Sequence, residues 1–261
     1  MKSKSIFSFV VVLLATLSSF GHAQIFSNNR RYELPEAPQF LEAERTVKVT
    51  VKHSNENYLE LVSKPSDAKG AEIRVDNGRV RILGPKRFLA KKIPTTEFIL
   101  YTTKPSLFRG FSVHAASVVH IDPSTPIDIN NLAVEVSGAS SFGCAGNIRS
   151  LDIDISGASV AKISGDFEKI ECEVSGASSV NISGQTRLLE LEVSAASTAS
   201  FRNLIAKIGK VEVSGASSAT TNVVGELYYG VYASSTLTNV SEKAPQIRRG
   251  ESSGFSKFYQ K

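Results

Sequence analysis

The 261-residue sequence predicts an all-β protein built as a parallel β-helix, a β-solenoid of about 19 residues per coil with capping strands at its N-terminal end. Three observations predict it. Ser137, Ser156, Ser175, Ser194 and Ser214 each open a near-identical Ser-Gly-Ala-Ser unit, at intervals of 19, 19, 19 and 20 residues. A fixed period near 20 is the signature of a stacked repeat. Within each unit apolar residues alternate, as in Leu151, Ile153, Ile155 and in Leu189, Leu191, Val193, and a period of two means strand. The same small residues recur at the same place, which a stack of coils explains: equivalent strands pair at about 4.8 Å and place Gly over Gly and Ser over Ser. A string of antiparallel hairpins is the competing architecture and gives no reason for that recurrence.

In chain order, residues 1–23 read as a secretory signal peptide: Lys2 and Lys4, an apolar run from Ile6 to Leu17, then Gly21-His22-Ala23. Cleavage is expected after Ala23, and because Gln24 rather than cysteine follows, no lipid anchor is implied. The run is shorter than the roughly 20 residues that span a bilayer, and no second one follows, so the mature chain is expected to be exported without a transmembrane segment, to the periplasm or the cell surface. Removal of the two lysines lowers the formal charge from +5 to +3. Residues 24–37 read as an N-terminal linker.

Residues 38–112 are rich in strands but lack the motif. The stretch from Phe40 to Val51, then Tyr58 to Val62, Ala71 to Val75, Arg79 to Leu83 and Phe98 to Tyr101 alternate, and Asp76-Asn77-Gly78 signals a tight hairpin. These strands are expected to begin the solenoid and cover its exposed edge. Residues 113–256 carry the regular repeats, with degenerate copies at His114-Ala115-Ala116-Ser117 and Tyr232-Ala233-Ser234-Ser235. In each unit one glycine (Gly138, Gly157, Gly176, Gly215) serves a corner, where Ala195 shows that smallness is the requirement, and a second (Gly146, Gly165, Gly184, Gly225) serves another. Ser140, Ser159, Ser178, Ser197 and Ser217 are expected to form a hydroxyl ladder in which each donates to the next and satisfies corner backbone groups. Cys144 and Cys172 fall at inward strand positions on different strands, so they read as buried free thiols rather than a disulfide. Residues 225–261 concentrate Tyr228, Tyr229, Tyr232, Phe255, Phe258 and Tyr259, either as a closing cap or as a platform for stacking on carbohydrate.

Candidate chemistry lies on the outer faces. Glu135, Asp154, Glu173, Glu192 and Glu212 form one acidic column, and Asp152, Glu171 and Glu190 its neighbour. At water's dielectric each stacked pair costs under about 1 kcal/mol, so a solvated face tolerates them. The functional reading is a surface for cations, calcium included, or for polycations. Lys86, Arg87, Lys91 and Lys92, with Arg79 and Arg81 near, suggest a basic patch for an acidic glycan or an anionic membrane, against the reading of an ordinary loop. A nucleophilic serine would need a base, and of His53, His114 and His120 none accompanies the clear repeats. No phosphate-loop, dinucleotide or zinc signature occurs, no metal or cofactor other than calcium is suggested, and nucleic acid is not an expected partner.

The Val-Ser-Gly-Ala-Ser units, preceded by strands ending in Asp76-Asn77-Gly78-Arg79-Val80-Arg81-Ile82, resemble the head GIN domain family of auto-transporter adhesins over residues 38–256. The resemblance implies a right-handed parallel β-helix of pectin-lyase-like shape, no recognised catalytic residues, and a conjectured role in adhesion. The copies at His114, Ala195 and Tyr232 depart from the motif and blur the coil count. The resulting expectation is an exported, non-enzymatic adhesin or binding module of the bacterial envelope, with glycan or another envelope protein as partner. The alternative is a carbohydrate-active enzyme of the same shape acting on a polysaccharide.

Overall fold

The computed structural model describes residues 24–25, 30–86 and 95–261. The expected signal peptide, and Arg87, Lys91 and Lys92 of the expected basic patch, lie outside the described residues. Among the described residues the regular structure is all strand apart from one short 3₁₀ turn at Pro105–Leu107, and it winds as a β-solenoid of about eight turns rather than a barrel. No helix of the described residues is long and apolar enough to cross a membrane.

Each regular turn has two strands and two corners. One strand leads into the Ser-Gly-Ala-Ser corner and the other leaves it, so that stacking generates two parallel sheets. In the first sheet Gly110–Val113, Asp128–Val136 and Asn147–Ile155 are followed by the second halves of Val160–Val174, Ser179–Val193, Thr198–Val213 and Ser218–Val231, and then by Gln246–Ser252. The second sheet stacks Val118–Ile121, Ser141–Ala145, the first halves of the same long strands, Thr236–Asn239 and Lys257–Gln260. The pairing is parallel, in register through the earlier turns and shifted at bulges near Asn181, Ser200, Ala206 and Leu227, which settles the architecture against hairpins.

The inward positions form continuous columns. Val136, Ile155, Val174, Val193, Val213 and Val231 are all fully buried, and Phe108, Phe111 and Phe142 pack ring to ring at 4.7 and 5.1 Å. Cys144 lies in register with Ile163, and Cys172 lies between Ile153 and Leu191. Both are free and buried. Burial alone pushes the Cys144 thiol up to about 12; burial, then the carboxylates of Asp154 and its neighbours, pushes Cys172 up as well.

The serine ladder exists and serves corner backbone groups as expected, but through bonds to amides and carbonyls instead of donation from one hydroxyl to the next. The backbone N–H of Val47, Ser117, Ser140 and Ser159 each donates to the hydroxyl of the serine one turn on, at 3.2–3.4 Å. Later in the stack Ser217 and Ser235 donate instead to backbone carbonyls. The Ser197 hydroxyl, at the change from one pattern to the other, is buried without a hydrogen-bond partner.

At the N-terminal end, the order of layers departs from the order of the chain. Phe40–Glu44 and Val47–His53 form a turn that pairs with the turn at Gly110–Ile121 on one side and with Arg79–Leu83 and Thr96–Thr102 on the other. The single strand expected from Phe40 to Val51 is broken by Arg45 and Thr46, whose φ values of 65° and 60° make a corner without glycine. The outermost layer is then covered by antiparallel strands. Glu72–Asp76 pairs with Arg79–Leu83 across a hairpin at Asn77 and Gly78, and Tyr58–Leu61 pairs with Thr96–Thr102. Gln24–Ile25 and Arg31–Glu33 add to these strands, so part of the stretch read as a linker belongs to this cover.

The C-terminal end is not closed in the way expected. Residues after 225 add further parallel strands, and Gln246–Ser252 is exposed along its whole length, because the chain continues the register instead of folding across it. The aromatics there brace the last turns. Tyr229 stacks on Phe258 at 4.2 Å, and the Tyr232 ring lies over Gly230, where a Cβ would meet its hydroxyl at 2.6 Å.

Candidate functional site

The outward positions of the first sheet gather the candidate residues. Ladder register places Glu135, Asp154, Glu173, Glu192 and Glu212 in one column, and Asp152, Glu171 and Glu190 in the next, where Lys210 follows. Strand spacing fixes the distance between rungs, so Asp154, Glu173, Glu192 and Glu171 each see a like charge on both sides and the end members see one.

The two columns have different electrostatics. In the second, Lys169 reaches Glu171 at 2.5 Å and Glu190 at 3.1 Å, and Lys210 reaches Glu190 at 2.6 Å. Burial would raise the Glu190 carboxyl, but hydrogen bonds from Lys210 and Lys169 outweigh it and hold the group below its ordinary value. In the first column the repulsion is not relieved in this way. Asp154 is held up by burial and then by Glu173, Glu135 and Asp152, and Glu192 by burial and then by Glu173 and Glu212. Asp152, in the second column, is also raised, by burial first and then by Glu171. Lys169 and Lys210 escaped the sequence reading. Their signal was present, because Lys169 precedes Glu171 by two residues and Lys210 occupies the position of Glu190 one turn on.

Among the described residues no three acidic, histidine or cysteine side chains are gathered to hold a metal ion. The column is a line of single carboxylates, a geometry suited to diffuse attraction of cations more than to chelation of one ion.

The same column continues beyond the repeats and changes sign. Below Glu135 come Ser112 and Glu42, then Arg81, and last Arg74 on the covering strand. The face is thus acidic over the repeats and basic at its covered end.

One contact joins residues the sequence reading had kept apart. His114 Nδ1 lies 2.7 Å from Ser137 Oγ, and its Nε2 lies 4.0 Å from a Glu135 oxygen. The carboxylate is beyond hydrogen-bond reach, so nothing orients the ring as a general base requires. The pair sits on an open corner.

A family model described as putative auto-transporter adhesin, head GIN domain, matches residues 38–242. Solved structures share the fold. A putative adhesin from Parabacteroides distasonis superposes with a TM-score of 0.75 at 12% identity, covering 92% of this chain and 98% of its own. Another, from Parabacteroides merdae, gives 0.74 at 9% identity, over 92% and 95%. A putative lipid binding protein from Parabacteroides distasonis gives 0.69 at 10% identity, over 92% and 97%. At such identities the likeness speaks for the fold alone. No curated protein matches the chain.

Proposed function

The chain belongs to the head GIN domain family of putative auto-transporter adhesins, and from that premise we propose that it is an exported, non-enzymatic binding module of the bacterial envelope. It acts through the outward face of its first sheet. The observation that carries this reading is the unbroken register from Glu135 to Glu212, which repeats one carboxylate per turn along a flat face. A repeated face suits a repeated ligand, because weak contacts made once per turn add up through effective concentration. Envelope polymers, either glycan with cationic groups or another envelope protein with a basic face, present such a ligand.

The test is a glycan array probed with the chain from Gln24 onward, together with proteolysis of intact cells to locate the protein. Selective binding is expected, to be weakened when Glu173, Glu192 and Glu212 are changed together to glutamine. An array and an envelope pull-down that both return nothing would overturn the reading. The competing reading, an enzyme of pectin-lyase shape, predicts cleavage products from a panel of acidic polysaccharides; their appearance would replace the proposal.

A further inference from the structure

The basic end of the face holds a cavity of about 300 Å³, lined by Glu44, Arg45, Glu72, Arg74, Arg81 and Lys86 around a floor that includes Leu83. Four cationic side chains line it against two carboxylates. Arg74 and Arg81 stand directly opposite each other across the antiparallel pair, an arrangement that costs stability unless negative charge lies between them. The two carboxylates are already engaged: Glu72 accepts from Arg74 Nη2 at 3.0 Å and Glu44 from Arg81 Nη2 at 3.0 Å. Donor capacity is left over on Arg45, whose Nε is buried with no hydrogen-bond partner and whose Nη2 comes only within 4.0 Å of Glu72; Arg81 is held by Glu42, 3.0 Å from its Nε, as well as by Glu44.

The backbone that carries Arg45 is held in place. Arg45 and Thr46 are both in the left-handed region, where non-glycine residues are found when the surroundings impose it. Thr46 N–H donates to the Ala115 carbonyl at 3.0 Å and the Thr46 carbonyl accepts from Thr96 N–H at 3.2 Å. Gly84 passes so close that a Cβ there would lie 1.9 Å from the Arg45 carbonyl oxygen. The corner is built around an arginine at a point where the other corners use glycine or alanine.

We propose that this cavity binds one oxyanion, the carboxylate or sulfate of an acidic sugar, with Arg45, Arg74, Arg81 and Lys86 as its donors. Guanidinium forks match the geometry of such groups. The volume lies at the small end of ligand pockets, enough for one charged sugar entering end on. The proposal goes beyond the acidic face, lies at the other end of the rod, and is tested separately from it.

The experiment is calorimetric titration of the chain from Gln24 onward with a glucuronate-containing trisaccharide, a sulfated trisaccharide, and vesicles of anionic phospholipid. Saturable binding of at least one sugar is expected, competed by inorganic sulfate. Arg74→Gln, at an exposed position, and Arg45→Gly, which suits the left-handed backbone, should each weaken it at least tenfold with the far-UV circular dichroism unchanged. Arg202→Gln, an exposed cation outside both faces, should leave it within twofold. The proposal is overturned if neither sugar binds, if only vesicles bind, if both Arg45→Gly and Arg74→Gln bind as the parent does, or if Arg202→Gln weakens binding as much as they do.

Discussion

Replacing Gly165 with alanine tests the stacked architecture most directly, because the structure assigns the two glycine columns different jobs. At the second corner Gly146, Gly165 and Gly184 stack backbone on backbone, and a Cβ on Gly165 would lie 1.8 Å from the Gly146 carbonyl oxygen. To reach even 3.0 Å, the shortest approach that Cβ atoms make, adjacent turns must part by more than 1 Å. The 2.9 Å hydrogen bond from Gly146 N–H to the Ser164 carbonyl sits at that point and cannot survive the shift. Overpacking against backbone costs about 3 kcal/mol, and at about 2–4 °C per kcal/mol the melting temperature should fall by about 6–12 °C. Gly157, at the first corner, is the control. Its φ is 75°, Ala195 occupies the equivalent place at 62°, and a Cβ there would lie 3.0 Å from Gly138 N rather than 1.8 Å, so Gly157→Ala should cost little beyond the left-handed penalty of about 1 kcal/mol, or about 2–4 °C. Thermal unfolding followed by far-UV circular dichroism reads both. If Gly165→Ala melts within 1 °C of the parent, or if the two variants fall equally, the close approach of turns at the second corner is not what holds the stack.

Four further outcomes follow from the same geometry. The carboxyls of Asp154, Asp152 and Glu192 are raised in the fold; a raised acid binds more protons folded than unfolded, so its cost to stability is felt at neutral pH and disappears as pH falls through the raised values. Lowering pH from neutral toward the ordinary carboxylate range should therefore raise the melting temperature until Glu190, held down by its lysines, begins to lose its ion pairs; Asp154→Asn should raise it at neutral pH and flatten the profile. Millimolar calcium should raise it too, less so in Asp154→Asn, and absence of any shift would remove the cation reading of the column. Neither Cys144 nor Cys172 should react with a thiol reagent at pH 8 until denaturant is added, and a reactive thiol in the folded chain would contradict their burial. Asn239 bridges the Val223 backbone, Thr221, Ser241 and Gln260 from inside the last turns, so Asn239→Leu should cost about 2–4 kcal/mol by orphaning those groups, visible as earlier melting of the C-terminal turns in hydrogen exchange.

The repeat was legible because translation makes every turn report the same constraint. Once Ser137 and Ser156 are aligned, the registers of Cys144, Cys172 and all eight acidic residues follow, and the structure places each where the alignment does. The N-terminal layers were not legible, for two physical reasons. Arg45 and Thr46 adopt a left-handed corner that tertiary contacts impose, and no local propensity announces it. The insertion of the turn at Phe40–His53 between Arg79–Thr102 and Gly110–Ile121 rests on pairings between residues distant in sequence, which a local pattern does not encode. The charged face was half legible: its acidic columns obey the period, whereas its basic end depends on extending the Asn77-Gly78 hairpin register to set Arg74 against Arg81.

That division bears on where a solenoid can be specific. A turn related to its neighbours by translation presents the same side chains at the same spacing, so its face can gain affinity by repetition but cannot gather unlike groups around one point. Gathering them needs the translation to be broken. Here it is broken where antiparallel strands cover the parallel stack, and that is where arginines from three different strands and corners meet around one cavity. Substitutions on the acidic face should accordingly act gradually, each rung weakening attachment by a similar factor, whereas one substitution at the covered end should act all at once. Measuring attachment of the chain to a carboxylate-bearing and to an amine-bearing surface, for single and stacked substitutions in each region, separates the two modes: a graded response at the covered end, or an abrupt one on the face, would reverse the assignment.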